Sequence, residues 1–179
     1  LCGQACINYS RILVPRSRYA DHVESLAAAM KSVAVGDPNV EETQMGPLAM
    51  KRQLERVQGY IAKGVAEGAQ LAAGGGRPAS QNQGYFIEPT VFANVSNDMV
   101  IAREEIFGPV LSIVRAGSLA EALELVNTHE FGNGASIFTR DGYAAREFKH
   151  RFNAGMIGIN VGVPAPMAWF PFTGWNQSF

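Results

Sequence analysis

Residues 135–161 read ASIFTRDGYAAREFKHRFNAGMIGINV, and this stretch decides the fold class. Its two ends, 135–139 and 156–161, are short runs with the composition of buried strands, and residues 141–152 between them have a helical pattern. A strand, a helix and a second strand in this order form a right-handed crossover unit with parallel strands. The stretch therefore predicts an α/β fold with a largely parallel sheet flanked by helices.

Two amphipathic helices are predicted ahead of that stretch. Apolar side chains recur at helical spacing over residues 17–33 and again over 50–68, with charged side chains between them. A third helix should begin at Ser118, because Ser118 and Glu121 have the spacing of a capping box, in which each side chain satisfies an unpaired backbone N–H. Helices therefore alternate with strands along most of the chain.

Further strands are predicted at 71–73 and 110–114, which are short apolar runs. Residues 85–95 are rich in aromatic and β-branched side chains and should be extended. Pro89 has no backbone N–H to donate to a neighbouring strand. We therefore expect this segment at an edge of the sheet or in an irregular conformation.

Length and composition bound the class of protein. The chain has 179 residues, 47% of them hydrophobic, and a net charge of −1, which argues against nucleic-acid binding and against a polybasic membrane patch. No apolar run reaches the ~18 residues of a membrane span. No linker divides the chain, so we expect one domain over 1–179, with 164–179 as an irregular arm. Two cysteines cannot build a disulfide framework, which favours a cytoplasmic protein, and the start at Leu1 suggests a piece of a longer chain.

Cys6 is the first candidate for chemistry. It follows Gly3, which permits a tight turn, and a helix starting after it would direct backbone N–H groups at the sulfur and favour the thiolate. The alternative is a small buried side chain, because free cysteine is among the most buried residue types. No metal site is expected, since Cys2 and Cys6 are two ligands where zinc requires about four. A cysteine hydrolase would need one of the three histidines beside Cys6: His22, His129 or His150.

A second candidate is the cluster REEIFGP at 103–109, directly before a predicted strand. Carboxylates beside an arginine commonly form a weak ion pair at the surface. The functional alternative is that one carboxylate lies at the mouth of a cleft and accepts hydrogen bonds from ligand hydroxyls, with Phe107 as an apolar wall. Asn160 ends a predicted strand, where α/β folds place site residues, and an asparagine that only caps the loop fits equally well.

Six short motifs occur in a fixed order along the chain. The two most specific are GQAC at 3–6 and EEIFGP at 104–109. The others are GP at 46–47, GYF at 84–86 with PTV at 89–91, GMIGIN at 155–160 and PFTG at 171–174. In this order they resemble the catalytic domain of the aldehyde dehydrogenase superfamily over essentially the whole chain. The resemblance implies that catalytic-domain fold, without the Rossmann cofactor domain.

The resemblance also implies roles for five residues. Cys6 would be the nucleophile, attacking an aldehyde to give a thiohemiacetal that passes hydride to NAD or NADP and leaves a thioester. Glu105 would hold the nicotinamide ribose, and Phe107 would line the nicotinamide site. Asn160 and Phe172 match positions near the catalytic pocket. In the family the cofactor is bound mainly by a domain upstream of the nucleophile, which also carries the general-base glutamate, and neither has a counterpart in these residues.

The acyl acceptor and the substrate are left open by the motifs. FGNG at 131–134 and residues 163–174 look more like methylmalonate-semialdehyde dehydrogenases, which release the acyl group to coenzyme A. Residues 3–78 look more like general aldehyde dehydrogenases, so water or coenzyme A is left open as the acyl acceptor. A small aldehyde is the expected substrate, and the family resemblance implies a homo-oligomer. The alternative is a folded but catalytically silent fragment that acts as a binding or assembly unit.

Overall fold

The computed structural model describes residues 1–162, 164, 168–169 and 171–178. They contain six strands and five α-helices. The strands are β1 (Arg11–Pro15), β2 (Gln70–Ala73), β3 (Thr90–Val95), β4 (Val110–Ala116), β5 (Gly134–Ile137) and β6 (Met156–Ile159). The helices are α1 (Tyr19–Lys31), α2 (Lys51–Ala66), α3 (Val100–Arg103), α4 (Leu119–Asn127) and α5 (Gly142–Arg151), with a 3-10 turn at Arg16–Arg18. The predicted α/β class is confirmed.

The chain divides into two compact units. The first comprises Leu1–Ala5 and Ser10–Arg115, and the second comprises Cys6–Tyr9 and Ala116–Phe179. That the chain forms one domain over 1–179 remains a prediction.

The first unit is built on a four-stranded sheet in the order β1-β4-β3-β2. Strands β3 and β4 run parallel, with Thr90 opposite Val110, and β2 runs antiparallel to β3. Helix α1 packs on this sheet around a core in which Val91 and Ile113 are completely buried. The helices predicted at 17–33 and 50–68 correspond to α1 and α2.

Strand β3 lies inside the sheet, so the prediction of an edge position for it was wrong. It has β4 on one side and β2 on the other, and five of its six residues are buried. Pro89 comes immediately before Thr90, the first residue of the strand, so its missing N–H removes no hydrogen bond from the ladder. The irregular conformation predicted for this segment applies to residues 85–89 only.

The second unit contains the crossover that the opening stretch predicts. Strands β5 and β6 pair in parallel, with Gly134 opposite Met156 and Ile137 opposite Ile159, and α5 connects them. A small apolar core of Leu123, Phe148 and Phe152 joins α4 and α5 to this sheet. The Phe148 and Phe152 rings stack with their centroids 4.9 Å apart.

Helix α4 begins as the sequence predicts, with one difference in the partner of Glu121. The Ser118 hydroxyl accepts the Glu121 backbone N–H at 3.1 Å, which is the first half of a capping box. The Glu121 carboxylate accepts the N–H of Gly117, one residue before the cap, at 2.6 Å. The box is therefore displaced by one residue, and the unpaired N–H that it satisfies lies just outside the helix.

The predicted arm at 164–179 is described in part. Asn176 forms an antiparallel bridge with Phe131, and a Cβ added to Gly155 would lie 1.7 Å from the Thr173 carbonyl oxygen, so this segment returns to the second unit. Residues 163, 165–167, 170 and 179 lie outside the described residues, and they include most of the VPAP motif at 163–166. Among the described residues, no helix combines the length and apolar character needed to cross a membrane.

Val91→Ala should lower the free energy of unfolding by about 2–3 kcal/mol, because it removes two fully buried methyl groups and leaves a cavity between helix and sheet. Val65 on α2 is 52% exposed and gives the matched control, since Val65→Ala should change that free energy by no more than about 0.5 kcal/mol. Urea unfolding followed by far-UV circular dichroism measures both. Equal losses for the two variants would contradict the assignment of Val91 to the core.

Candidate active site

The predicted site residues are distributed over both units. Glu105 and Phe107 belong to the first unit, whereas Cys6, Asn160 and Phe172 belong to the second.

Cys6 is an exposed free thiol, so the alternative of a small buried side chain does not apply to it. The helix start expected after it is also absent: Cys6 lies in a turn, and the backbone is extended again at Ser10. Ser10 accepts the N–H of Ser112 at 2.9 Å, and β1 begins at the next residue. The four residues that separate Cys6 from β1 are too few for a stable helix.

Two hydrogen bonds attach the Cys6–Tyr9 segment to β5 and to the residue that precedes it. Asn133 Nδ2 donates to the Cys6 carbonyl oxygen at 2.7 Å. The Tyr9 hydroxyl lies 2.9 Å from Ser136 Oγ. The loop that carries the thiol is therefore held by side chains more than a hundred residues away in sequence.

Cys2 is the buried cysteine of the pair. Its side chain is 7% exposed, and burial raises the pKa of the thiol to about 11. An unpaired buried thiolate is costly, so Cys2 stays protonated at neutral pH. The buried position that residue type suggests for Cys6 belongs instead to Cys2.

Gly3 explains the first glycine of the GQAC motif. Its backbone has φ of +70°, and an added Cβ would lie 2.2 Å from the Gly108 carbonyl oxygen. Only glycine permits both this conformation and this approach. The side-chain amide of Gln4 bonds two backbone groups. Its oxygen accepts the Ala49 N–H at 3.1 Å, and its nitrogen donates to the Leu1 carbonyl at 3.2 Å. The residues before the cysteine therefore fix the path of the chain.

The segment 104–107 is held by side chains of α2. Gln53 Nε2 donates to the carbonyls of Ile106 at 3.1 Å and Phe107 at 2.6 Å. Arg56 donates to the carbonyls of Ile106 at 3.3 Å and Glu105 at 2.5 Å. Three successive carbonyl oxygens thus have fixed donors, which sets the backbone from which the Glu105 and Phe107 side chains project.

Glu104 and Glu105 have different surroundings, although they are adjacent. The Tyr60 hydroxyl donates to Glu104 Oε2 at 2.6 Å, so Glu104 takes part in the structure of its own unit. Glu105 is exposed on the same segment. Next to it Ile106 is buried, and Phe107 has φ of +60° with 37% of its surface exposed. Left-handed backbone is uncommon for an aromatic residue and concentrates at functional sites.

Asn160 caps a loop in the structure. Its Oδ1 accepts the Thr139 N–H at 2.9 Å and its Nδ2 donates to the Thr139 carbonyl at 3.0 Å. The residue has φ of +57°, the left-handed conformation that asparagine tolerates well after a strand. Asn160 therefore caps the loop after β6, which is one of the two readings of the sequence. Its role near a catalytic pocket stays a prediction. Phe172 is 45% exposed.

Among the described residues, the histidines and acidic side chains form no cluster that could hold a metal ion. His129 Nδ1 accepts the Phe131 N–H at 3.1 Å, and His22 Nδ1 lies 2.7 Å from the Arg18 carbonyl. Over residues 1–162 and the described part of the remainder, no group of three or more His, Cys, Asp or Glu side chains is arranged to hold a metal ion.

Comparison with known proteins agrees with the fold. The whole chain, residues 1–179, matches the aldehyde dehydrogenase family. Malonate-semialdehyde dehydrogenase 1 of Geobacillus thermodenitrificans is 44% identical over 178 residues, which cover 99% of this chain and 37% of that protein. A Mycobacterium tuberculosis aldehyde dehydrogenase complexed with NAD+ has a TM-score of 0.94 and 42% identity, covering 99% of this chain and 36% of its own. Methylmalonate-semialdehyde dehydrogenase from Oceanimonas doudoroffii has a TM-score of 0.94 and 36% identity, covering 99% of this chain and 37% of its own.

The chain belongs to the aldehyde dehydrogenase family. The resemblance that the motifs indicated, with its methylmalonate-semialdehyde dehydrogenase character, is confirmed. The chain spans 37% of the length of the curated relative described above.

Sequence reasoning missed the side chains that hold the two candidate segments. In the helical pattern Gln53 and Arg56 are only the polar residues between apolar positions, although their separation of three places them on one face of α2. Asn133 belongs to the FGNG motif, which gives no hint of its contact with Cys6. The available signal for it is a polar residue immediately before the first residue of a strand.

Brief treatment with iodoacetamide at pH 7.5 should modify Cys6 and leave Cys2 unmodified. Cys6 is exposed, whereas Cys2 is buried with a pKa of about 11, which leaves about 0.03% of it as thiolate at that pH. Peptide mass mapping locates the label, and Cys6→Ser should abolish it. Equal labelling of the two cysteines in the folded protein would contradict their assigned environments.

Gly3→Ala should lower the free energy of unfolding by more than about 2 kcal/mol, because its Cβ meets backbone and its φ disfavours side chains. Gly59 is exposed in the middle of α2, and an added Cβ there has no atom within 4 Å. Gly59→Ala is the matched control and should stabilise the protein by up to about 1 kcal/mol. Thermal and urea unfolding measure both variants, and a neutral Gly3→Ala would contradict the close approach to Gly108.

Proposed function

We propose that this chain is the catalytic part of an NAD(P)-dependent aldehyde dehydrogenase, with Cys6 as its nucleophile. The observation that carries the proposal is an exposed free thiol at the end of the GQAC motif, in a chain that belongs to the aldehyde dehydrogenase family. The Cys6 Sγ attacks the aldehyde carbonyl carbon and forms a thiohemiacetal. The Cys6 backbone N–H is the proposed donor to the oxygen that becomes negative in this step.

Glu105 and Phe107 are the residues of this chain that suit a nicotinamide cofactor. An exposed carboxylate accepts two hydroxyl donors, which is the chemistry of a ribose diol, and an exposed aromatic ring offers an apolar face. Gln53 and Arg56 fix the backbone beneath both side chains, so they are pre-organised for a ligand. When bound, NAD or NADP supplies the two-electron acceptor that converts the thiohemiacetal to a thioester. The structure of the Mycobacterium tuberculosis aldehyde dehydrogenase complexed with NAD+ supports NAD as the cofactor.

We further propose a small semialdehyde as the substrate. Relatives named malonate-semialdehyde dehydrogenase share 44% and 46% of their residues with this chain over the matched length, which favours a short aldehyde that carries a carboxylate. Coenzyme A and water remain the two candidate acceptors of the acyl group. Adding coenzyme A to the assay and identifying the product as an acyl-thioester or a free acid decides between them.

A second candidate function follows from the length of the chain. It spans 37% of the curated relative, so the cofactor domain and general base of the family would have to come from elsewhere in a longer protein. Without them the isolated chain would be a folded unit that binds or assembles and has no dehydrogenase turnover. We propose this silent behaviour for the 179 residues alone, and a cytoplasmic homo-oligomer for the complete enzyme.

In the full-length protein that contains this chain, Cys6→Ala should lower kcat for aldehyde oxidation by at least about 10³-fold, because the covalent route is lost. Cys2→Ala is the matched control and should keep wild-type kcat, since Cys2 is a buried protonated thiol. Formation of NADH, followed by absorbance, measures both. Wild-type turnover in Cys6→Ala would remove the proposed function, and robust turnover by the 179 residues alone would remove the silent-fragment alternative.

Glu105→Gln should raise the KM for NAD about 10- to 100-fold with a smaller effect on the KM for aldehyde, because a charge-assisted pair of hydrogen bonds to the ribose is weakened. Glu55 is exposed on α2 in an ion pair with Lys51 and provides the control for loss of one negative charge in the same unit. Glu55→Gln should leave both KM values within about twofold. Steady-state kinetics with each substrate varied in turn measures the effect, and equal KM values for the two variants would contradict the role of Glu105.

A further inference from the structure

Asn133 is the side chain that holds the main chain at Cys6. Its Nδ2 donates to the Cys6 carbonyl oxygen at 2.7 Å, across 127 residues of sequence. Because that carbonyl belongs to the same residue as Sγ, the bond restrains the backbone rotation that determines where the thiol is directed. Cys6 itself lies in a turn, outside any helix or strand.

The amide of Asn133 can have only one orientation at this place. A carbonyl oxygen accepts but cannot donate, so the NH2 end must face Cys6 and the Oδ1 end must face away. Oδ1 is buried and is the buried side-chain atom of the described residues that has no hydrogen-bond partner. A buried amide oxygen without a partner is unfavourable, and such atoms in folded proteins call for an explanation. Contact with the cysteine loop is the compensating interaction that the structure shows.

The backbone around Asn133 is held firmly enough to serve as a fixed support. The Asn133 carbonyl accepts the Met156 N–H at 3.0 Å, which joins it to β6. The preceding Gly132 accepts the N–H groups of Gly155 and Trp175, both at 3.0 Å, and donates to Ser178 Oγ at 3.0 Å. A Cβ on Gly132 would lie 2.8 Å from Trp175 Cβ, so this turn is closely packed.

A second attachment lies three residues farther along the same loop. The Tyr9 hydroxyl is 2.9 Å from Ser136 Oγ, and Ser136 Oγ in turn is 3.4 Å from the Gly162 carbonyl, to which it donates. The single hydroxyl proton of Ser136 is then used, so Tyr9 is the donor to Ser136. Burial raises the pKa of Tyr9, which keeps that donor protonated. The loop is therefore fixed at both ends, and Asn133 acts at the end that carries the thiol.

We propose that Asn133 is the positioning residue for the Cys6 nucleophile: its Nδ2–H bond to the Cys6 carbonyl sets the direction of the thiol that attacks the aldehyde. This inference rests on the proposed function of Cys6. It concerns the donor end of the amide, because Nδ2 makes the bond to Cys6 and Oδ1 has no hydrogen-bond partner.

Two substitutions at Asn133 separate its roles in the full-length protein. Asn133→Ala removes both ends of the amide, whereas Asn133→Asp keeps the shape and an acceptor oxygen but has no N–H to donate. Asn127 provides the matched control, because its Nδ2 also donates to a backbone carbonyl in the second unit, that of Arg151 at 2.6 Å. Asn127→Ala therefore reports the cost of losing a structural asparagine.

The expected result is a division between kcat and KM. Asn133→Ala and Asn133→Asp should each lower kcat about 10- to 100-fold while the KM for aldehyde stays within about twofold, because a misdirected nucleophile slows the attack without weakening binding. Asn127→Ala should keep kcat within about twofold even where thermal unfolding shows a comparable loss of stability. Far-UV circular dichroism shows whether each variant is folded. If Asn133→Ala is unfolded, the kinetics of the isosteric Asn133→Asp test the inference.

Each of the following results would overturn the inference. Wild-type kcat in Asn133→Asp would show that the donor end has no role, and an equal loss of kcat in Asn127→Ala would show that general destabilisation explains the effect. Wild-type kcat in Cys6→Ala would overturn the proposed function, and this inference with it. Loss of kcat in Cys6→Ala together with wild-type kcat in both Asn133 variants would overturn the inference alone.

Discussion

Gly108 lies where three segments of the first unit meet at distances that only hydrogen can occupy. An added Cβ would be 2.4 Å from Val57 Cγ2, and on its other side the Gly108 carbonyl is the group that Gly3 approaches. Pro109, the next residue, accepts the Thr90 N–H at 2.8 Å and so connects this point to β3. The order of the N-terminal turn, the attachment of α2 and the position of the 104–107 segment all depend on this close packing.

The two candidate segments are supported by the same physical strategy, although they belong to different units. In each, side chains in or directly beside a regular element donate to carbonyl oxygens of an irregular segment. Gln53 and Arg56 of α2 donate to residues 105–107, and Asn133, the residue before β5, donates to Cys6. Irregular backbone has carbonyls that no helix or ladder satisfies, and these donors satisfy them. The side chains proposed for the chemistry, Glu105 and the Cys6 thiol, thereby project from a fixed backbone.

Much of the fold could be predicted because it is encoded by local periodicity. The helical repeat over 50–68 and the strand-helix-strand pattern of 135–161 are visible in the sequence, and both elements form as expected. The environment of Cys6 could not be predicted in this way, since residue type alone favours burial and the carbonyl of Cys6 is held by Asn133, 127 residues away in sequence. Hydrogen bonds that join residues far apart in sequence leave no periodic signal, which is why Asn133 and the position of β3 within the sheet were missed or misjudged.

Ser136 and Gly158 face each other in the paired strands β5 and β6, and their relation to Tyr9 has an evolutionary consequence. A Cβ on Gly158 would lie 2.2 Å from Ser136 Oγ, so a serine that accepts from Tyr9 at position 136 requires glycine at position 158. Changes at these three positions cannot be independent in their effects. Within the family, a side chain gained at position 158 should accompany loss of the serine and of the tyrosine, so that the three sites vary together as one epistatic set.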